Sequence, residues 1–312
     1  MKLSLMTEPQ LGGSYEQILT AAGWAEENEL ASFARSDHYY SSRDPKPAAT
    51  DAFATLAGLA RDPTSIRLCV MVTPLTFRHP AVIAKTAATI DQMSGGRLDL
   101  GVGTGWMEIE HEAYGIPFPE WSERFEMLTE ARPYLRESFS GEGAHFDGDH
   151  YSLDADVYPE PSGIRLIVGG TGKQKTPTLA GTHADEYNHI VTPAGDLAPK
   201  ITVMRRAAAD AGRDPDSITV SMMGPVFIGR DEAEYRSLIG AAAAERDVEV
   251  SDFEERLDGN GVPRGWGDRV TETFTGLAEI GVDHFYFQWL DLADIGSLDA
   301  TLEALRDATS AL

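Results

Sequence analysis

Between Arg78 and Gly105 the spacing of apolar positions changes once, and the change marks two elements. In Ala81–Met93, the residues Val82, Ala84, Ala87, Ala88 and Ile90 are spaced to share one face of a helix. Ser94-Gly95-Gly96 predicts its end, because glycine adopts the left-handed conformation that closes helices. Arg97–Val102 then alternates, with Leu98, Leu100 and Val102 on one side, which predicts a strand. Gly103-Thr104-Gly105 follows, where a backbone without Cβ atoms lets a ligand approach. A helix feeding a strand that opens into glycines is one unit of an α/β barrel, whose ligands bind at the strand C-termini.

The same alternation runs along the whole chain. Strands are expected at Lys2–Met6, Ser32–Ser36, Ile66–Thr73, Arg97–Val102, Ile164–Gly169, Glu186–Ile190, Thr219–Met223 and His284–Gln288. Helices are expected near Tyr15–Asn28, Ala49–Arg61, Ala81–Met93, Arg124–Phe139, Thr176–Thr182, Asp196–Ala211, Asp231–Arg246, Asp268–Ile280 and Leu298–Ala308. With neither linker nor internal repeat, this order predicts a closed parallel (β/α)8 TIM barrel filling one domain, residues 1–312. Two stretches fit neither period and read as insertions: Ser140–Gly163, rich in turn residues, and Ser251–Gly267. The first is the candidate lid.

Composition narrows the class. No run of eighteen apolar residues occurs, so no membrane span is expected. MKLSLMTEPQ reads as a first strand rather than a signal peptide. The single cysteine, Cys69, sits in an apolar run and reads as a buried thiol in a reducing compartment, which points to the cytoplasm. Fifty acidic residues against 26 basic ones give a net charge of −24, dispersed along the chain. Such charge repels itself at low salt, whereas near molar salt the Debye length falls to about 3 Å. The expectation is a halophilic protein, with nucleic acid excluded as a partner by its own phosphates.

Candidate chemistry gathers at the strand ends. Asp37-His38 follows the second strand, where a histidine can exchange protons near neutrality and a carboxylate can hold it. A capped loop with an exposed histidine is the alternative. Gly169-Gly170-Thr171-Gly172 closes the fifth strand, with Lys173 and Lys175 beside it and Thr171 and Thr176 as hydroxyl donors. Amides at such a helix start bind anions, although a solvated helix end has the same appearance. Gly101-Val102-Gly103-Thr104-Gly105 lacks the later acid of a dinucleotide fingerprint. No metal-ligand spacing and no serine nucleophile elbow is present.

Taken together, Asp37-His38, Val72-Thr73-Pro74 before Arg78-His79-Pro80, SGGRLDLGVGTGW, the GGTG loop and the late EIGVDHFYF strand resemble the luciferase-like monooxygenase superfamily. Within it the chain is most similar to oxidoreductases using the deazaflavin coenzyme F420. The resemblance implies a tight homodimer, and a cofactor across the barrel mouth with its phosphate on Gly169–Gly172. It implies that Asp37 and His38 contact the deazaflavin, that His38 manages the proton accompanying hydride transfer, and that Asp37 orients it. It places a non-proline cis bulge at Val70-Met71, and Thr104 and Gly105 near the ring and ribityl chain. Lys173 and Thr176 join the phosphate site. Trp106 stands where sugar-phosphate dehydrogenases of the family carry a glutamate donor, which argues against a sugar phosphate and makes Trp106 and Phe77 pocket candidates, with Trp24 a weaker one given its helical run. The alternatives are an FMN-dependent monooxygenase of the same superfamily, and a non-catalytic flavin-binding or scaffold barrel. The substrate is a small organic molecule of unassigned identity.

Overall fold

A computed structural model describes residues 1–41, 49–62, 64–140 and 144–312. Eight parallel strands close a barrel: β1 (Lys2–Thr7), β2 (Ser32–Arg35), β3 (Arg67–Pro74), β4 (Leu98–Gly103), β5 (Arg165–Gly169), β6 (Glu186–Ile190), β7 (Thr219–Pro225) and β8 (His284–Trp289). Each pairs with its neighbours in sequence, and β8 returns to β1 through Lys2↔His284 to Thr7↔Trp289. All eight expected strands are present, and no helix among the described residues is long and apolar enough to cross a membrane.

Strand alternation sorts the side chains into an outer and an inner set. In β4, Leu98, Leu100 and Val102 join the large hydrophobic layer under the helices, together with Leu5, Phe33, Val70, Leu166, Val168, Phe285 and Phe287. The interior opposite the mouth is polar. There Arg67 binds Asp99 (2.6 Å), Arg165 binds Glu186 (3.0 Å), and Ser4 Oγ lies 2.7 Å from His284 Nε2. Above them Met6, Ala34, Cys69, Met71, Ile167 and Tyr286 form a small apolar plug. With the charge pairs at the strand N-termini, the C-terminal mouth is left for chemistry.

The helices are α1 (Tyr15–Glu27), α2 (Ala52–Leu59), α3 (Pro80–Ser94), α4 (Glu108–Tyr114), α5 (Trp121–Ser138), α6 (Lys175–His183), α7 (Ala194–Asp210), α8 (Glu232–Glu245), α9 (Val250–Gly259), α10 (Asp268–Glu279) and α11 (Leu298–Thr309). α3 ends as expected, with Gly95 in the left-handed conformation at φ 72°. Trp24 is core, its indole N–H donating to Asp299 of α11 (2.8 Å).

Three expectations change. Ser251–Gly267 is no structureless insertion: it holds α9, which buries only Phe253 and Leu257, and Arg264–Gly265, which pairs with Phe227–Ile228. Its acidic surface hid the helical period. α4 was also absent from the sequence reading, being seven residues long without a side-chain cap. The expected lid carries an antiparallel hairpin, Ala144–Asp147 with Ser152–Ala155, and residues 141–143 lie outside the described set. That hairpin packs on the helical shell, and Tyr151 beside it meets the His79 ring at the start of α3 (5.2 Å). Glu130 of α5 accepts the amides of Asp149, His150 and Tyr151 at 2.9–3.2 Å, and Asp91 of α3 accepts the Ser162 amide at 2.7 Å. The reason is topological: the chain leaves α5 at the end of the barrel opposite the strand C-termini.

Candidate active site at the barrel mouth

β3 shapes the floor of the mouth. Its register with β4 runs to Val70↔Leu100 and resumes at Thr73↔Val102, and the cis peptide is Met71–Val72. The resemblance had placed it at Val70-Met71. Parity explains the one-residue correction: Val70 is still a regular strand residue facing the outer hydrophobic layer, fully buried, so the irregular pair is Met71 and Val72.

Val72 then stands over the barrel on a bed of glycines. A Cβ on Gly101 would lie 2.7 Å from Val72 Cγ1, on Gly103 2.9 Å from Cγ2, and on Gly169 2.9 Å from Cγ1. The missing side chains on β4 and β5 therefore make room first for a protein side chain. The sequence reading had assigned that room at Gly103 to a ligand. Gly105 needs glycine for its backbone, at φ 76°, and Thr104 is half-buried beside it.

Asp37 and His38 sit at the end of β2, as expected, but they are not partners. Asp37 is buried and bound by both terminal nitrogens of Arg78, whose Nη2 also donates to Asp51 (2.7 Å). Arg78 lies against Tyr39 and Phe53 as well, 5.2 and 4.7 Å from their ring centres. Asp37 thus anchors the loop rather than orienting His38. The carboxylate on His38 is Glu110 of α4: the imidazole Nδ1 lies 2.9 Å from Glu110 Oε1, while Oε2 accepts the Tyr39 amide at 3.1 Å. Burial pushes the His38 pKa down, but the hydrogen bond and charge of Glu110, with Glu8 and Asp37 behind it, reverse the sign and leave it raised above 6.5.

The aromatic candidates divide. Trp106 is 72% exposed and stands nearly perpendicular to the His38 ring at 5.6 Å, which leaves much of the indole open to another planar group. Phe77 stacks on Tyr39 at 4.5 Å and touches His111 at 4.9 Å, which makes it part of the wall behind the site. Sequence reasoning missed Arg78, Glu110 and His111. A Glu-His pair beginning five residues after a glycine cluster was the available signal, and it became meaningful only with α4 in place.

Gly169–Gly172 curls back onto the start of α6. Cβ atoms on Gly170 and Gly172 would meet Thr176 at 3.1 and 2.6 Å, so Thr176 is buried as the filler of this loop. The Gln174 position at the start of α6 provides no side-chain cap, which leaves the first-turn amides open beside exposed Thr171 and Lys173. Lys175 turns away and lies 5.2 Å over both Trp121 and Phe125. Among the described residues no group of three or more histidine, cysteine or acidic side chains converges as a metal site.

Comparison with known proteins places this geometry. Residues 1–283 match the luciferase-like monooxygenase family. The pyrimidine monooxygenase RutA of Cronobacter sakazakii is 33% identical over 181 residues, covering 55% of this chain and 52% of that protein. The chain spans about half the length of the curated relatives it matches. An F420-dependent secondary alcohol dehydrogenase in complex with an F420-acetone adduct superposes with a TM-score of 0.79, at 20% identity over 98% of both chains. The monooxygenase RslO1 from Streptomyces bottropensis superposes with a TM-score of 0.78, at 21% identity over 98% of this chain and 99% of that one. At these identities the likeness to the two structures is one of fold.

Proposed function

Because the chain belongs to the luciferase-like monooxygenase family, we propose that it is an oxidoreductase using coenzyme F420 at the barrel mouth to exchange a hydride with a small organic substrate. The observation that carries this reading is His38, placed after β2 next to β3 and held by Glu110, with Nε2 free of any protein hydrogen bond among the described residues. The residues fit a ring cofactor with an anionic tail. Val72, packed on the plug that holds Met71, offers an apolar surface, and the uncapped start of α6 with Lys173 offers an anion site. Asp37, Thr104 and Gly105 border the ring position, and Gly169–Gly172 with Thr176 form the loop at the phosphate. When bound, the deazaflavin supplies a two-electron carrier. The protein supplies orientation and, at His38 Nε2, the proton. Trp106 offers a face to the substrate.

The second reading is an FMN-dependent monooxygenase, favoured by the identity to a pyrimidine monooxygenase. Parallel fluorescence titrations with F420 and FMN in molar salt decide between them. Tight F420 and weak FMN binding supports hydride transfer, and the reverse moves the protein to the oxygen-using branch. Binding of neither would make it a scaffold, and unchanged turnover in His38→Ala would remove His38 from the chemistry. The homodimer is part of the proposal, and sedimentation velocity in the same buffer tests it.

A further inference from the structure

We propose that Glu110 is the positioning residue of the proton step: it holds His38 as the Nδ1–H tautomer and so makes Nε2 the atom that gives or takes the substrate's proton. The inference rests on the assignment of His38 above.

The geometry allows one arrangement of protons. Glu110 is 1% exposed, and its two oxygens are shared between His38 Nδ1 (2.9 Å) and the Tyr39 amide (3.1 Å). An ionised carboxylate only accepts, so Nδ1 must carry the hydrogen. The same contact pair clamps the side chain of residue 38 and the backbone of residue 39 to one group. α4 is itself pinned. His111, fully buried, has Nδ1 2.9 Å from the Met107 carbonyl and Nε2 2.7 Å from Thr76 Oγ1. Since a carbonyl also only accepts, His111 carries its hydrogen on Nδ1, and Nε2 accepts from the Thr76 hydroxyl. Phe77 and Phe118 close on its ring at 4.9 and 4.5 Å. Glu110 is therefore delivered from a short helix bolted to the loop after β3.

The charges facing His38 come from three directions. Glu110 faces it from α4. Glu8, bound to Gln10 and Gln288, faces it from the end of β1. Asp37 adjoins it on its own loop, with its charge already matched by Arg78. Glu110 is the one in hydrogen-bond contact, and without it only the more distant Glu8 and Asp37 oppose the burial that disfavours the cation. The proton balance is simple. Neutral His38 takes a proton from solvent at Nε2, and the imidazolium sits against the Glu110 carboxylate. Nε2 then releases that proton to the substrate atom that requires one, and the neutral Nδ1–H form returns. In the reverse direction Nε2 receives it.

The test is 1H–15N correlation spectroscopy of the cofactor-free full chain, labelled with 15N-histidine, with the His38 signals assigned from His38→Ala. In the wild-type protein His38 is expected to titrate above 6.5 and to be Nδ1–H when neutral. In Glu110→Gln the amide oxygen stays on the Tyr39 N–H and the NH2 donates to Nδ1. The neutral tautomer is then expected to switch to Nε2–H, with the midpoint below that of wild type. Glu110→Asp should recover the tautomer in part. In turnover, Glu110→Gln should lose kcat by roughly 10²-fold, with KM little changed. A wild-type His38 titrating at or below 6.5, or as the Nε2–H tautomer, overturns the proposal. So does Glu110→Gln with wild-type tautomer and midpoint. If that variant does not fold, the wild-type tautomer and midpoint decide alone. The spectra need no cofactor, so failure of the F420 titration and failure of this inference are read separately.

Discussion

Gly103→Ala is expected to destabilise the barrel, and Val72→Ala is expected to relieve most of that loss. The new Cβ would sit 2.9 Å from Val72 Cγ2, closer than packed carbon atoms come. Val72 has nowhere to turn, because its other methyl already faces the empty Cβ positions of Gly101 and Gly169 at 2.7 and 2.9 Å. Overpacking of this kind costs about 1–3 kcal/mol, and for a chain of this size each kcal/mol lowers Tm by roughly 2–4 °C or less. Val72→Ala alone should cost about 1–2 kcal/mol through lost burial. The double variant should fall near Val72→Ala alone, with a coupling of roughly 1–2 kcal/mol between the sites. Gly101→Ala is the control, since its Cβ also meets the Val70 carbonyl oxygen at 2.5 Å, which no truncation at Val72 removes. Urea denaturation followed by circular dichroism in molar salt measures all four variants against wild type. A Gly103→Ala protein within about 0.5 kcal/mol of wild type, or one that Val72→Ala fails to rescue, would refute the view that these glycines exist for Val72.

Arg78→Met should cost about 3–5 kcal/mol, because it strands the buried Asp37 carboxylate, and a loss under about 1 kcal/mol in denaturation would show the pair to be dispensable. The folded His38 pKa is raised, so its pairing with Glu110 stabilises the fold fully below pH 6.5 and the gain fades as pH rises through the folded value. Urea midpoints between about pH 6 and 9 should show that decline in wild type and lose it in Glu110→Gln. With 50 acidic and 26 basic residues, the protein should lose its folded circular dichroism signal on dialysis from molar salt to low salt, and a protein still folded there would contradict the halophilic reading. Cys69 is fully buried and its thiol pKa is pushed up by that burial, so a thiol reagent should label it only on unfolding. Fast labelling of the native protein would show the barrel plug to be open.

The period of the hydrophobic residues was enough to place every barrel strand and the shell helices, because burial against one continuous core imposes that period locally. Leu98, Leu100 and Val102 announce both a strand and its outward face. α4 and α9 were invisible for the same reason inverted: each buries few apolar residues, so α4 is too short to show a period and that of α9 is masked by its acidic surface. The Asp37-His38 pair and the GGTG loop were legible as places, since barrel strands end there.

Their partners were not legible. Chain proximity suggested that Asp37 serves His38, yet Asp37 is spent on Arg78, 41 residues away, and Glu110 reaches His38 across 72. The glycines of β4 looked like room for a ligand until the irregular turn of β3 set Val72 upon them. What the sequence determined alone was whatever depends on a residue and its near neighbours: the elements, their faces, the charge, and the end of the barrel where chemistry gathers. Only the tertiary structure decided which carboxylate meets which cation. That choice depends on distances across strands and helices, and no local spacing encodes those distances.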